Sequence, residues 1–225
     1  LTISDDATAR IWDAKSGRTQ LTLLGHTGLL SRGHWNANGS QVMTASSDGT
    51  VRIWDANKLV ALAGEIPLLI GHEAGVNRAL WDAAEARILT ASDDGTARIW
   101  DAQSGAELAT LQGHTDWVNE VQWNREESRI LTASDDGTAR IWDAQSGQEL
   151  LKLEHQAFVS TAQWSPDEAS ILTASADGTA IIWDAANGDI RHTLDSVDAG
   201  LVQAIWNQDG SRVLTAGMDG AARVW

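Results

Sequence analysis

The sequence predicts an all-β fold assembled from about five and a half copies of one four-stranded antiparallel unit, and three observations carry that prediction. The first is lopsided aromatic usage: the 225 residues include 12 Trp, one Phe and no Tyr. Ordinary cores draw on all three aromatics, so the bias points to one Trp-bearing unit copied several times. The second is spacing. Trp12, Trp54, Trp100, Trp142, Trp183 and Trp225 form one ladder, and Trp35, Trp81, Trp123, Trp164 and Trp206 form another of the same period, near 42 residues. Only Trp117 stands outside both. The third is identity: residues 88–105 and 130–147 both read ILTASDDGTARIWDAQSG. A period of roughly 40–45 residues is that of a four-stranded β-propeller blade.

Each element of the unit follows from local signals. Val118 to Trp123 precedes a turn at Asn124-Arg125-Glu126 and reads as the first strand. Ile130 to Ser134 is short, apolar and β-compatible, Asp136-Gly137 is a tight-turn dipeptide, and Thr138 to Trp142 alternates as a strand does. A Gln145-Ser146-Gly147 turn then leads into a fourth strand from Glu149 to Leu153. Such a sheet has two faces to cover, and radial repetition covers both while leaving few open edges. One propeller domain is expected over 1–225, with full repeats at 25–70, 71–112, 113–153 and 154–194, a partial blade at 1–24 and a partial, degenerate one at 195–225. The second unit carries an insertion near Lys58 to Pro67, read as a longer turn between third and fourth strands.

Composition narrows the function classes. With 16 Lys+Arg against 31 Asp+Glu the net charge is −15, which disfavours nucleic acid and anionic membranes as partners. No apolar run approaches the roughly 20 residues of a membrane-spanning helix. The absence of Cys excludes disulfides, thiolate nucleophiles and zinc–sulfur sites.

Gly-His pairs at Gly25-His26, Gly71-His72 and Gly113-His114 recur in phase with Trp-Asp pairs at Trp12-Asp13, Trp54-Asp55, Trp100-Asp101, Trp142-Asp143 and Trp183-Asp184, with the Asp-Gly turn between them. On these residues the whole chain resembles the WD40-repeat β-propeller family. The resemblance implies a structural network in which Trp hydrogen-bonds Ser or Thr, the hydroxyl bonds His, and His bonds the turn Asp. Its members here are Trp54, Trp100, Trp142 and Trp183, Ser46, Ser92, Ser134 and Ser175, His26, His72, His114 and His155, and Asp48, Asp94, Asp136 and Asp177. A set repeated in every blade serves structure, because catalysis needs one site. Histidines one blade apart cannot share a cation, and no phosphate-cradling Gly string occurs, so no metal or cofactor is expected. Arg10, Arg52, Arg98 and Arg140 repeat for the same reason and read as inter-blade packing and pairing. The network is expected to weaken toward the C-terminal end, where Glu154-His155 lacks the Gly, Asp195-Ser196 replaces Gly-His and Gly217 replaces the Ser.

Leu1 to Asp6 matches a second strand and its turn, and Trp225 matches a third-strand Trp, so the chain is expected to belong to a larger ring of about seven blades, roughly 290 residues at this period.

Function is sought where the repeats differ. Six residues before the first-strand Trp stand Leu29, Gly75, Trp117, Phe158 and Gly200, and four before it stand Ser31, Asn77, Asn119, Ser160 and Val202. The residue before the turn Asp is Asp5, Ser47, Asp93, Asp135, Ala176 or Met218. By resemblance these rows line the top face around the channel, and Trp117, Phe158, Asn119, Ser160, Asp93, Asp135, Leu29 and Asn77 are the candidate partner-binding residues. The expected function is a non-catalytic protein–protein interaction scaffold or sensor module, cytoplasmic, within a larger multidomain signalling or effector protein, as in the bacterial multidomain WD40 proteins whose near-identical blades it resembles. The expected ligand is a protein or peptide with an apolar anchor and basic residues, or another domain of the same polypeptide. The alternatives are a propeller enzyme with its site at the channel mouth and a fragment that completes its ring by oligomerisation.

Overall fold

A computed structural model of the chain describes residues 1–57, 67–195 and 199–225. The insertion at Lys58 to Pro67 lies outside them except for Pro67, and so does Ser196. Every regular element among the described residues is a strand, and the strands form six sheets of three or four. Strands β1 (Thr2–Ile3), β2 (Ala9–Trp12) and β3 (Thr19–Leu23) make the first sheet, and β4 (Leu30–Trp35), β5 (Gln41–Ser46), β6 (Thr50–Asp55) and β7 (Leu68–Ile70) the second. The third holds β8 (Val76–Trp81), β9 (Arg87–Ser92), β10 (Thr96–Asp101) and β11 (Glu107–Gln112). The fourth holds β12 (Val118–Trp123), β13 (Arg129–Ser134), β14 (Thr138–Asp143) and β15 (Glu149–Glu154). The fifth holds β16 (Val159–Trp164), β17 (Ser170–Ser175), β18 (Thr179–Asp184) and β19 (Ile190–Asp195). The last comprises β20 (Leu201–Trp206), β21 (Val213–Gly217) and β22 (Ala222–Val224). Neighbours in each sheet are consecutive in the chain, as an antiparallel meander requires. The expected all-β, propeller-type architecture is what the structure shows.

The described chain divides into two compact units, Leu1–Asp94 with Arg98–Thr110, and Gly95–Ala97 with Leu111–Trp225. Within each, apolar side chains from one sheet close over the next. In the first unit Met43, Ile53 and Leu69 join Val76, Ala79 and Trp100 in one cluster. In the second, Leu131, Ile141 and Leu153 join Val159, Ile171 and Trp183. Alternation along the strands puts these residues on the covered faces.

Turn chemistry sets the strand ends. Gly137, between β13 and β14, has φ 81°, the left-handed conformation that a residue without Cβ adopts at no steric cost. The Asp of each Trp-Asp pair caps the following turn: Asp143 Oδ1 accepts from the Ser146 amide at 2.7 Å, and Asp101 does the same for Ser104 at 2.7 Å. Trp81-Asp82, out of phase in sequence, caps a different turn. Asp82 accepts from the amides of Ala86 and Arg87 just beyond the first strand.

Two of the repeated arginines, Arg98 and Arg140, form ion pairs within their own sheets, where pairing between blades was expected. On β14, Arg140 reaches Asp136 at 3.3 Å and Glu149 on the adjacent β15 at 2.6 Å. Arg98 likewise reaches Asp94 and Glu107, at 3.6 and 2.7 Å.

Candidate functional site

Four blades carry the same buried polar chain. In the fourth sheet the Trp142 indole N–H donates to Thr132 Oγ1 at 3.0 Å, Thr132 Oγ1 lies 2.7 Å from His114 Nε2, and His114 Nδ1 lies 2.9 Å from Asp136 Oδ2. The proton order is fixed by chemistry. An indole can only donate and a carboxylate can only accept, so the hydroxyl donates to Nε2 and the Nδ1–H donates to Asp136. Trp54–Thr44–His26–Asp48 repeats the arrangement. So do Trp100–Thr90–His72–Asp94 and Trp183–Thr173–His155–Asp177.

Two sequence expectations need correction here. The hydroxyl between Trp and His belongs to Thr44, Thr90, Thr132 and Thr173, two residues before the expected Ser46, Ser92, Ser134 and Ser175. The serines brace the turn instead: each accepts the amide of the turn Asp at 3.1 Å, and Ser134 Oγ donates to the Asp116 carbonyl at 3.1 Å. Nor does the chain weaken at Glu154-His155, whose contacts are complete. Weakening begins only in the last sheet, where Trp225 still donates to Thr215 at 3.0 Å but Gly217 stands at the serine position.

Electrostatics favour a neutral imidazole. Burial pulls His26, His114 and His155 below the ordinary value, outweighing the attraction of their Asp partners. Burial alone would raise Asp48, but hydrogen bonds from the Thr50 hydroxyl, the Thr27 amide and His26 outweigh it and hold the carboxyl down at about 2. At neutral pH the chains of His26, His114 and His155 are therefore satisfied and closed. Thr132 is fully buried with both hydroxyl roles used, so it offers no nucleophile to a substrate. No group of three or more His, Cys, Asp or Glu among the described residues is arranged to hold a metal ion.

The candidate partner-binding residues sort differently. In the first unit Leu29, Asn77 and Asp93 line an open depression together with Asp5, Ser31, Ser47 and Gly75. Asn77 Nδ2 donates to Asp93 Oδ1 at 2.6 Å. In the second unit Asn119 donates to Asp135 Oδ1 at 2.6 Å, and the Asp135 amide donates to the Trp117 carbonyl at 2.9 Å, which brings all three to one end of the sheet. Phe158 stands at the matching position of the next sheet, its carbonyl accepting from Ala176. Both rings face solvent, Trp117 at 51% exposure and Phe158 at 38%. Ser160 turns away from such a role: its hydroxyl bridges the carbonyls of Ala174 and Leu201. Val202 and Met218, which stood in the variable rows but outside the candidate set, are exposed on the same end of the last sheet, at 50% and 59%.

Repeated four-stranded sheets, each locked by an indole–hydroxyl–imidazole–carboxylate chain and differing mainly at one end, define a repeat-built β-propeller protein. The chain belongs to the WD40 family: the WD domain, G-beta repeat, matches residues 17–55, 65–101, 105–143, 147–184 and 188–225. Among solved structures, the computationally designed Ika8 protein is similar with a TM-score of 0.83 and 24% identity, over 98% of this chain and 65% of that one. At that identity the likeness is one of fold. No curated protein matches the chain. WD40 repeats generally act as non-catalytic scaffolds that bind proteins or peptides.

Proposed function

We propose that this chain is a non-catalytic docking module whose second unit takes a protein or peptide ligand across the end of its sheets where Trp117 and Phe158 stand, with an apolar anchor on the rings and a Lys or Arg toward Asp135. The observation that carries the reading is the exposure of two aromatic rings in adjacent sheets of a chain whose other aromatics follow the repeat. Exposed aromatics are the commonest anchors of protein interfaces. Asn119 holds one oxygen of Asp135, which fixes the carboxylate for a cation, and the net charge of −15 favours a basic partner. Near-identical blades, as in bacterial multidomain WD40 proteins, support a place in a larger cytoplasmic signalling or effector protein.

The test is selection of a displayed peptide library on the 225-residue chain, followed by titration of the enriched peptides against the Trp117→Ser/Phe158→Ser variant. Peptides pairing a basic with a large apolar residue should be enriched, and the variant should bind them about 30-fold or more weakly at unchanged Tm, since an interface Trp is typically worth about 2 kcal/mol. Binding that survives the double substitution overturns the reading.

A further inference from the structure

The turn that closes each first hairpin has one frame throughout. Its last residue donates its amide to the carbonyl of the first: Gly39 to Asn36 at 3.2 Å, Glu85 to Asp82 at 3.1 Å, Glu127 to Asn124 at 3.0 Å, Glu168 to Ser165 at 2.9 Å and Gly210 to Asn207 at 3.1 Å. All five are left-handed, with φ of 72°, 55°, 54°, 59° and 72°. Glycine is the natural residue there, because a Cβ in this conformation crowds the following carbonyl. Three glutamates at such a site are not explained by their own turns.

The carboxylates of Glu85 and Glu168 act on the preceding blade. Glu85 accepts from the Ala37 amide and, at 3.1 Å, from Asn36 Nδ2. Glu168 accepts from the Arg125 amide, and Arg125 Nη2 returns a hydrogen bond to the Pro166 carbonyl at 2.7 Å. The donor is in both cases the backbone N–H just past the residue that caps the first strand. In the fifth sheet that position is Pro166, which has no N–H, and the blade that follows carries Gly210 rather than Glu. A Cβ at Gly210 would stand 3.2 Å from Pro166 Cδ. Glutamate therefore follows an amide, and glycine follows a proline.

We propose that this pair of positions is a matching surface between consecutive blades, a carboxylate clasp that accepts a neighbour whose turn presents an N–H and a glycine that accepts a neighbour presenting proline. Units this alike can dock on the wrong copy during folding, and specificity then needs a feature that rejects the alternative. The two versions do so reciprocally. A glutamate set against Pro166 finds no backbone N–H there and meets the ring, and a glycine set against the Arg125 amide leaves that amide unclasped.

Thermal unfolding of the 225-residue chain tests it. Without a clasp, Glu168→Gly relieves a left-handed residue and should raise Tm. With the clasp, it lowers Tm by about 2–4 °C, and Glu168→Gln, whose amide oxygen still accepts, loses less. The second test is a cycle at the other version. Gly210→Glu alone should lower Tm or prevent folding, Pro166→Ala alone should change it little, and the pair together should melt above Gly210→Glu because the restored amide now meets its carboxylate. A higher Tm for Glu168→Gly, or a double variant no more stable than Gly210→Glu, overturns the proposal.

Discussion

At the scale of single residues, stability rests on hydroxyls whose identity could not be read from spacing. Thr132 and Ser134 are two apart on β13 and so point to the same side, and the TAS triplet offers either as the partner of Trp142 and His114. The register decides it. Ile130 opposes Trp142 and Thr132 opposes Arg140, which leaves the threonine within 3.0 Å of the indole nitrogen. Thr132→Val keeps the shape and removes both hydrogen bonds, leaving two buried polar groups unpaired, and should cost about 2 kcal/mol in urea unfolding. His114→Ala should act in the same direction, through the loss of partners for Thr132 and Asp136. Ala7 is the converse case. It occupies, at φ 66°, the turn position held by Gly49, Gly95, Gly137, Gly178 and Gly220 elsewhere. Ala7→Gly should stabilise by about 1 kcal/mol, and an unchanged or lower urea midpoint would argue against strain at that turn.

At the scale of the element, the Gly-His pair explains its own exception. A Cβ at Gly113 would lie 2.7 Å from Arg140 Nη1 and 3.0 Å from the Trp142 ring, and Gly71 is placed likewise against Arg98 and Trp100. Glycine is needed to let the arginine cross. Where the arginine is replaced by Ile181, Glu154 is tolerated and His155 keeps its bonds. Gly113→Ala should therefore destabilise by about 1–3 kcal/mol, and much less in an Arg140→Ile background. The sequence showed the missing glycine but not its tolerance, since the two positions lie far apart in the chain and meet only through strand pairing. Strands, turns and the Trp ladders were legible because each is set by local chemistry repeated in phase. The ends of the sheets were legible as variable rows, but burial was not: nothing in the spacing said that Ser160 would spend its hydroxyl on two carbonyls while Val202 and Met218 stayed exposed. The last sheet, with three strands and no histidine in its polar chain, should show faster amide exchange than the fourth, and protection in β20–β22 equal to that in β12–β15 would contradict this.

At the scale of the whole molecule, repetition multiplies a small pH effect. His26, His114 and His155 are held by burial below their ordinary value of 6.5, so the unfolded chain binds protons more readily than the folded one. Their contribution is complete above pH 6.5 and is lost as pH falls below it. Asp48, at about 2 against an ordinary 3.8, contributes above 3.8 and loses its share as pH falls toward 2. Melting temperature should be level from pH 7 to 9 and fall from about 6.5 downward, more steeply below 4; a level profile to pH 5 would show that the histidines titrate alike in both states. The first-hairpin turns carry a consequence for ancestry. Tandem sequences this alike gain and lose copies by unequal crossing-over, and each new junction must be sterically admissible. A duplicated 113–153 segment would place Arg125 before Glu127, amide before carboxylate, and the longer array could fold at once. A duplicated 154–194 segment would place Pro166 before Glu168, and that lineage would survive only with a second, compensating change.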